Sequence, residues 1–152
     1  MIANALLPEG GAPPDVTLPG RAQIVRVEPS VPLTPARRRT INGLLDVFVP
    51  AAVERRDPLR ALPLVTPAFR AGTSRADWKR GDLPVVPYDA EGSRFHGWTL
   101  GYSLADEMSV DVLLRPGATE TRGALAFTAV FKRLHGNWLI DAFIPAASFA
   151  SE

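Results

Sequence analysis

The chain contains no cysteine among its 152 residues. Disulfide bonds are therefore excluded, and so is any site that needs a thiolate as nucleophile or metal ligand. Histidine is almost as scarce, because His96 and His135 are the only two and lie far apart in the sequence. Two isolated histidines without a helix-spaced partner make a poor metal site. We therefore predict neither a metal nor a cofactor.

An excess of charge of one sign is also missing. The sequence has 17 basic and 16 acidic residues, and its net charge is +1. Proteins that bind nucleic acid usually carry a large basic excess or a basic stripe, whereas the only basic run here is the arginine triplet at 37–39. A phosphate-binding glycine loop, a serine nucleophile elbow and a dinucleotide fingerprint are absent as well. We therefore predict no nucleic-acid partner.

Long apolar runs are lacking too. No stretch approaches the roughly 18 apolar residues of a membrane-spanning helix, and residues 1–7 lack the basic region that begins a signal peptide. A Pro-rich opening is nevertheless what a chain shows when an upstream membrane anchor has been removed. Two localisations stay open: extracytoplasmic, behind a removed anchor, or cytoplasmic.

Proline, in contrast, is plentiful, and six of the 15 prolines fall within residues 1–33. Because proline fixes φ and lacks an N–H, this stretch predicts an extended leader or linker, in which residues 23–27 form at most a short edge strand. Residues 34–152 then remain as a single domain, which is long enough to bury a core.

A first helix is predicted to begin at Thr34, a good N-cap, with Pro35 at the first helical position. Its apolar residues recur every three or four positions and form one stripe: Ile41, Leu44, Leu45, Phe48, Ala52 and Val53. Pro50 is expected to bend this helix, because its ring clashes with the carbonyl of Asp46. The helix should end near Arg56.

Three further cap signals follow in residues 57–81. The dipeptides at 57–58 and 66–67 each pair a cap residue with proline. Ser74 and Asp77 have the spacing of a capping box, in a segment that ends at a glycine. Short helices of this kind gain stability chiefly by packing on a larger element, here a sheet.

Strand patterns occupy the last part of the chain, at 95–104, 109–114, 125–131 and 138–144. Gly97 and Gly101 in the first strand predict a bulge or bend, which a strongly curved sheet requires. In the third strand the larger apolar side chains stand at every second position, which predicts one face buried by the helices: Leu125, Phe127, Ala129 and Phe131. The fold class is therefore α+β.

The last two strands contain the phrase FKRLHGNWLID at 131–141. A strand with basic residues near its end, a turn of polar residue and glycine, and a last strand opening with tryptophan resemble the nuclear transport factor 2-like superfamily, also called the cystatin-like or ketosteroid-isomerase-like cone. The resemblance covers about residues 34–147. It implies a cone-shaped domain, in which a curved antiparallel sheet of four to six strands wraps around the N-terminal helices. It also implies a homodimer through the sheet.

Enzymes of this superfamily place acids, histidines and tyrosines in the mouth of the cone, where one carboxylate removes a proton and other groups donate to the enolate oxygen. Residues of these types give four catalytic candidates in this chain, none of which matches a member's catalytic motif residue by residue: Asp46, His96, Tyr102 and Asp111. Asp46 either borders a pocket or is an exposed helix acid, and Asp111 faces either a cavity or solvent. For Asp141, a cross-strand ion pair with Lys132 or Arg133 is the simpler interpretation.

Aromatic side chains of the predicted strands are candidates for lining an apolar ligand pocket: Phe95, Trp98, Tyr102, Phe127 and Phe131. Trp138 is instead predicted to be a core residue that fixes a helix to the sheet. His135 is expected in an exposed hairpin turn with Gly136.

Two functions are compatible with these observations. The first is a non-catalytic protein-interaction or assembly domain, which the Pro-rich leader and the near-neutral charge support. The second is a small-molecule pocket protein of the isomerase, dehydratase or cyclase type that binds an apolar ligand. A filled interior with an exposed apolar sheet face would favour the first, and a deep cavity holding Asp46 with a tyrosine or histidine would favour the second. We favour the first, with a homodimer and either a protein or an apolar small molecule as a further partner.

Overall fold

The computed structural model describes residues 28–91 and 97–148, with side chains up to residue 146. Phe95, His96 and the segment predicted at 23–27 lie outside the described residues. The helical part comprises α1 (Pro35–Phe48), a π-helical segment (Val49–Val53), α2 (Pro58–Ala61), a 3-10 turn (Leu62–Leu64), α3 (Pro67–Arg70) and α4 (Arg75–Arg80). The sheet comprises β1 (Trp98–Ser103), β2 (Glu107–Leu114), β3 (Leu125–Leu134) and β4 (Asn137–Ser148).

Helix α1 begins where the sequence predicts. The Thr34 hydroxyl accepts a hydrogen bond from the Arg37 backbone N–H at 3.2 Å, which satisfies one of the free donors of the first turn. The predicted apolar stripe is buried, with no exposed surface at Ile41, Leu45 and Phe48. These three side chains fix the face that α1 turns toward the sheet.

The bend expected at Pro50 takes the form of a wider helical turn. Pro50 lacks the N–H that an α-helical turn needs, and the pairing shifts so that the Glu54 N–H donates to the carbonyl five residues earlier, at 3.0 Å. The helical stretch ends at Val53, slightly before the predicted end near Arg56. It stops because Arg55 adopts a φ of 59°, in the left-handed region that no right-handed helix continues.

The other cap signals each begin a short helix, as predicted. The Thr66 hydroxyl accepts from a backbone N–H of α3 at 3.1 Å. Ser74 and Asp77 form the capping box, with hydrogen bonds of 2.7 and 3.1 Å between them. Gly81 ends α4 with a φ of 88°, which glycine adopts without steric cost.

The strands form one open, curved antiparallel sheet in the order β1-β2-β3-β4. The α+β class is thus confirmed, with four strands in the described part of the chain. The register slips at Gly101, Asp141 and Ala146, each an extra residue on its strand, and such bulges bend a sheet. His135 and Gly136, with φ of 51° and 82°, form the two-residue turn between β3 and β4, as predicted.

One face of the sheet, here called the inner face, packs against the helices. The predicted face of β3 is confirmed, since its four side chains are all buried: Leu125, Phe127, Ala129 and Phe131. The strands on either side contribute the remaining buried residues of this face: Met108, Val110, Val112, Leu114, Ile140 and Phe143.

Aromatic rings fill the space between the inner face and the helices. Phe127 and Phe143 stack with ring centroids 4.8 Å apart, and Phe48 of α1 lies 5.1 Å from Phe143. Phe69 lies 6.0 Å from Phe48 and 6.1 Å from Trp78, which extends the contacts to α3 and α4. These five rings, here called the aromatic cluster, form the centre of a core whose burial is the main stabilising term.

Arg37 fastens α1 to the turn between β1 and β2. Its guanidinium donates to the carbonyls of Leu104 and Ala105 at 2.6 and 2.9 Å. It also lies 5.1 Å from the Trp138 ring, and Arg133 lies 5.7 Å from the same ring. Trp138 is therefore half-buried between two guanidinium groups at the edge of the core, where it joins helix and sheet, and is not fully buried as the sequence suggested.

Replacing Phe127 by Asp should unfold the domain, because an unpaired carboxylate would replace a ring with no exposed surface. Loss of the ring alone costs about 3–5 kcal/mol, a large part of the stability of a typical domain. Circular dichroism during thermal unfolding measures the effect. The control is Ala36→Asp at an exposed position on α1, which adds the same charge and should melt as wild type does, and a wild-type melting curve for Phe127→Asp would contradict the assigned face.

Candidate functional site

The catalytic candidate Asp46 is exposed on α1. It borders a small pocket of about 250 Å³ together with Pro50, Arg56, Asp57 and Arg60. This pocket lies among the helices and does not involve the sheet. Asp46 is therefore an exposed helix acid near the arginines of this pocket, which is the simpler of the two interpretations given above.

The candidates Tyr102 and Asp111 lie on the other side of the molecule. Thr99 pairs with Asp111 and Tyr102 with Ser109, on the face of the sheet opposite to the buried Val110 and Val112. Asp111 is exposed, and its carboxylate accepts a hydrogen bond from the Thr128 hydroxyl at 2.8 Å. The core thus separates Asp46 from Tyr102 and Asp111, and these three side chains do not share a cavity.

We call this second face of the sheet the outer face. Its apolar side chains are exposed or half-buried: Tyr102, Leu113, Ala126, Val130, Leu139, Ala142 and Ile144. Ile144 is 57% exposed and Tyr102 is 38% exposed. The outer face therefore offers an apolar surface that the described residues leave open to solvent.

Polar side chains of the outer face are paired with one another. The Tyr102 hydroxyl donates to the Glu107 carboxylate. The Lys132 ammonium lies 3.2 Å from the Asp141 carboxylate, which also accepts from the Thr66 hydroxyl at 2.7 Å. The predicted cross-strand pair of Lys132 and Asp141 is thus confirmed. Burial, the hydrogen bond to Glu107 and the negative charges of Glu107 and Asp141 raise the pKa of Tyr102 to about 12.

The described aromatic candidates for ligand binding do not converge on one cavity. Phe127 and Phe131 have no exposed surface and belong to the core. Trp98 is half-buried, and its indole N–H donates to the Asn42 side chain at 2.8 Å while Arg38 lies 5.4 Å from its ring. Tyr102 lies on the outer face. Phe95, like the catalytic candidate His96, falls outside the described residues.

A surface groove of about 740 Å³ is also present, which the sequence did not suggest. Its walls are residues 81–87 and 143–145, and Arg55 and Thr73 complete it. The first wall follows the end of α4, where glycine and two prolines keep the chain irregular. The second wall is the end of β4. Only the tertiary fold brings these distant segments together with Arg55.

A smaller pocket of about 220 Å³ contains three acids and one arginine: Glu54, Asp89, Glu120 and Arg122. The Glu54 side chain is only 2% exposed, and its Oε2 atom has no hydrogen-bond partner. Burial raises the pKa of Glu54, with Arg56 acting in the opposite direction. In contrast, hydrogen bonds from Arg122 lower the pKa of Glu120 to about 2.

Within residues 28–91 and 97–148, no group of three or more His, Asp or Glu side chains is arranged to hold a metal ion. In the same residues, no helix has the length and apolar character needed to cross a bilayer. A scan against models of protein families, a search of curated proteins and a search of solved structures each found no match for the chain. Inferences about function therefore rest on the geometry described above.

Replacing Glu107 by Gln should lower the pKa of Tyr102 from about 12. The change removes the negatively charged carboxylate that accepts the hydrogen bond of the phenol O–H. Burial of Tyr102 persists in the variant, so the pKa should remain above the usual value of about 10. Ultraviolet absorbance titration of wild type and variant measures the shift. The titration of Tyr102→Phe identifies which absorbance step belongs to Tyr102. If the pKa of that step is unchanged in Glu107→Gln, the hydrogen bond between Tyr102 and Glu107 is contradicted.

Replacing Glu54 by Gln should raise the melting temperature at neutral pH, because the variant no longer buries a charge. The sign follows from the raised pKa: wild type carries the penalty above the folded-state pKa and loses it as the pH falls toward the unfolded value. The rise in melting temperature should be roughly 2–4 °C for each kcal/mol of unfolding free energy that the variant gains, and it should become smaller at acidic pH.

Thermal unfolding of both proteins across that pH range measures the difference. The exposed Glu28→Gln change is the matched control and should leave the melting temperature unchanged at each pH. A pH-independent difference for Glu54→Gln would contradict the raised pKa of Glu54.

Proposed function

We propose that the chain is a non-catalytic protein-interaction domain of the nuclear transport factor 2-like type, and that it binds a second copy of itself through the outer face. The observation that carries this proposal is the combination of a filled interior with an open apolar sheet face. A cone-type enzyme needs its acids and tyrosines around an internal cavity. In this chain the described candidates lie on opposite sides of the core.

The filled interior supports the non-catalytic half of the proposal. The aromatic cluster occupies the space between helices and inner face, and Tyr88 packs against Phe127 with ring centroids 6.2 Å apart. The Tyr88 hydroxyl, a natural proton donor for catalysis, is used structurally, since it donates to the Gly123 carbonyl at 3.0 Å. Its ring is 2% exposed, which leaves no approach for a substrate.

The pairing of polar groups on the outer face supports its role as an interface. Covering an unpaired charge costs several kcal/mol, whereas a charge already matched by a partner costs less. Here Lys132 is matched by Asp141, whereas Asp111 accepts a hydrogen bond from the neutral Thr128 hydroxyl and keeps its charge. A partner can therefore cover the Lys132–Asp141 pair without having to supply a counter-charge for it.

The dimensions of the outer face also suit a dimer. Four strands at about 4.8 Å spacing and about ten residues at 3.3 Å each give a surface of roughly 20 Å by 30 Å. This is of the same order as the ~800 Å² that each partner contributes to a standard interface. A second copy related by a two-fold axis would place like surfaces against each other, as most homodimers do.

Replacing Ile144 by Asp should convert the dimer to a monomer, because the charge falls on the most exposed large apolar residue of the outer face. Size-exclusion chromatography with light scattering should give twice the chain mass of 16.4 kDa for wild type and the chain mass itself for the variant.

Ala36→Asp is the matched control, because it adds the same charge at an exposed position on α1, which is not part of the outer face. It should remain a dimer. A monomeric wild type at high micromolar concentration, or an Ile144→Asp variant as dimeric as wild type, would overturn the proposal.

A further inference from the structure

The groove of about 740 Å³ shares Ile144 with the outer face, but its other walls and its chemistry are its own. Its volume falls within the range of ligand sites, roughly 300–1,000 Å³. Its walls are mostly apolar, with Leu83, Val85, Val86 and Phe143 among them. Arg55 is the one cationic side chain among its lining residues, and the exposed Asp82 carboxylate lines the groove as well. Apolar walls with a few placed charged groups are typical of ligand sites.

The Arg55 guanidinium is held in place by main-chain carbonyls. Its Nε atom donates to Gly81 at 3.1 Å and its Nη2 atom to Val85 at 2.5 Å, while Nη1 donates to Ala52. These three bonds use three of the five N–H groups of a guanidinium. Two N–H groups remain, which is the number that a carboxylate engages in a bidentate pair.

No carboxylate of the described residues forms an ion pair with Arg55. Asp82 is the nearby acid that acts on it, but Asp82 pairs with Arg80 at 3.3 Å and its side chain is 70% exposed. Burial lowers the pKa of Arg55, and Asp82 opposes this effect. A partly desolvated cation with only neutral hydrogen-bond partners gains more from a bound anion than an exposed cation does.

The backbone of Arg55 also sets this residue apart. Its φ of 59° lies in the left-handed region, which is uncommon for any residue other than glycine. This conformation turns the chain sharply after the π-helical segment, while the side chain stays fixed against Gly81 and Val85. The cation is thus pre-positioned, which reduces the entropy that a ligand would have to supply.

The walls favour an aliphatic chain over a peptide. Extended peptides bind through main-chain hydrogen bonds, and Pro84, Pro87 and Pro145 remove three N–H donors from the groove. The N–H of Val85 is already used, since it donates to the Leu83 carbonyl at 2.8 Å. Methylene groups need no such donors and gain from contact with apolar walls.

We propose that this groove binds an aliphatic carboxylate, with the carboxylate on the free N–H groups of Arg55 and the hydrocarbon chain along residues 83–87 and 143–145. This site goes beyond the proposed self-association and does not rest on it. Recognition requires both parts of the ligand, because a short carboxylate lacks the apolar contacts and an alcohol of equal length lacks the charge.

Three probes test this on the full chain by NMR titration: octanoate, 1-octanol and acetate. Octanoate should give saturable shifts at Val85, Val86 and the Arg55 Nε–H. The affinity for 1-octanol should be lower than that for octanoate by about tenfold or more, because 1-octanol cannot form the charge-assisted hydrogen bond. Acetate should not saturate the groove. Equal binding of octanoate and 1-octanol, or shifts confined to other regions, would overturn the proposal.

A matched pair at the exposed wall residue Val86 isolates the charge without disturbing Arg55, which itself holds the fold together. Val86→Glu places a competing carboxylate in the groove and should weaken octanoate binding by about tenfold. Val86→Gln has nearly the same shape without charge and should bind within about threefold of wild type. Equal weakening by both variants would overturn the role of the Arg55 cation.

A peptide with an apolar C-terminus is the competing ligand, because it also ends in a carboxylate. Such a peptide should not saturate the groove under conditions in which octanoate does. Saturation by the peptide and not by octanoate would overturn the proposal. Light scattering of the Val86 variants should show wild-type association, so that failure of this proposal is distinguishable from failure of the proposed dimer.

Discussion

The packing of aromatic rings between helices and sheet is the constraint on which the rest of the structure depends. Phe127 and Phe143 on the sheet and Phe48 on α1 contact one another directly, so these elements share one core. Short helices such as α3 and α4 have little stability of their own and are held by the same contacts, through Phe69 and Trp78. Because rings occupy this space, a deep internal cavity does not form there.

That packing leaves the two surfaces that we propose to be functional on the outside of the domain. The outer face of the sheet is apolar at its centre, and its polar groups are paired among themselves. The groove beside Arg55 combines apolar walls with a cation that has only neutral partners. Both surfaces include Ile144 at the end of β4, so occupation of one can affect the other. In this chain the surfaces that we propose to be functional therefore lie at the periphery of the fold.

Features encoded by local sequence could be predicted, because their physics acts over a few residues. Thr34 caps α1, His135 and Gly136 form a hairpin turn, and alternation along β3 identifies its buried face. Features that depend on distant segments could not. The sequence marks the arginine triplet as a basic run, and only the fold shows that Arg37 fastens a helix to a strand turn.

The sequence by itself determined the α+β class, the order of the elements and the inner face, since hydrophobic periodicity and cap residues are local signals. The tertiary structure decided which polar residues meet. It separated Asp46 from Tyr102 and Asp111 by the thickness of the core, and it brought Arg55 beside the end of β4. The physical reason is that a site is defined by distances between groups far apart in the chain, and only packing sets those distances.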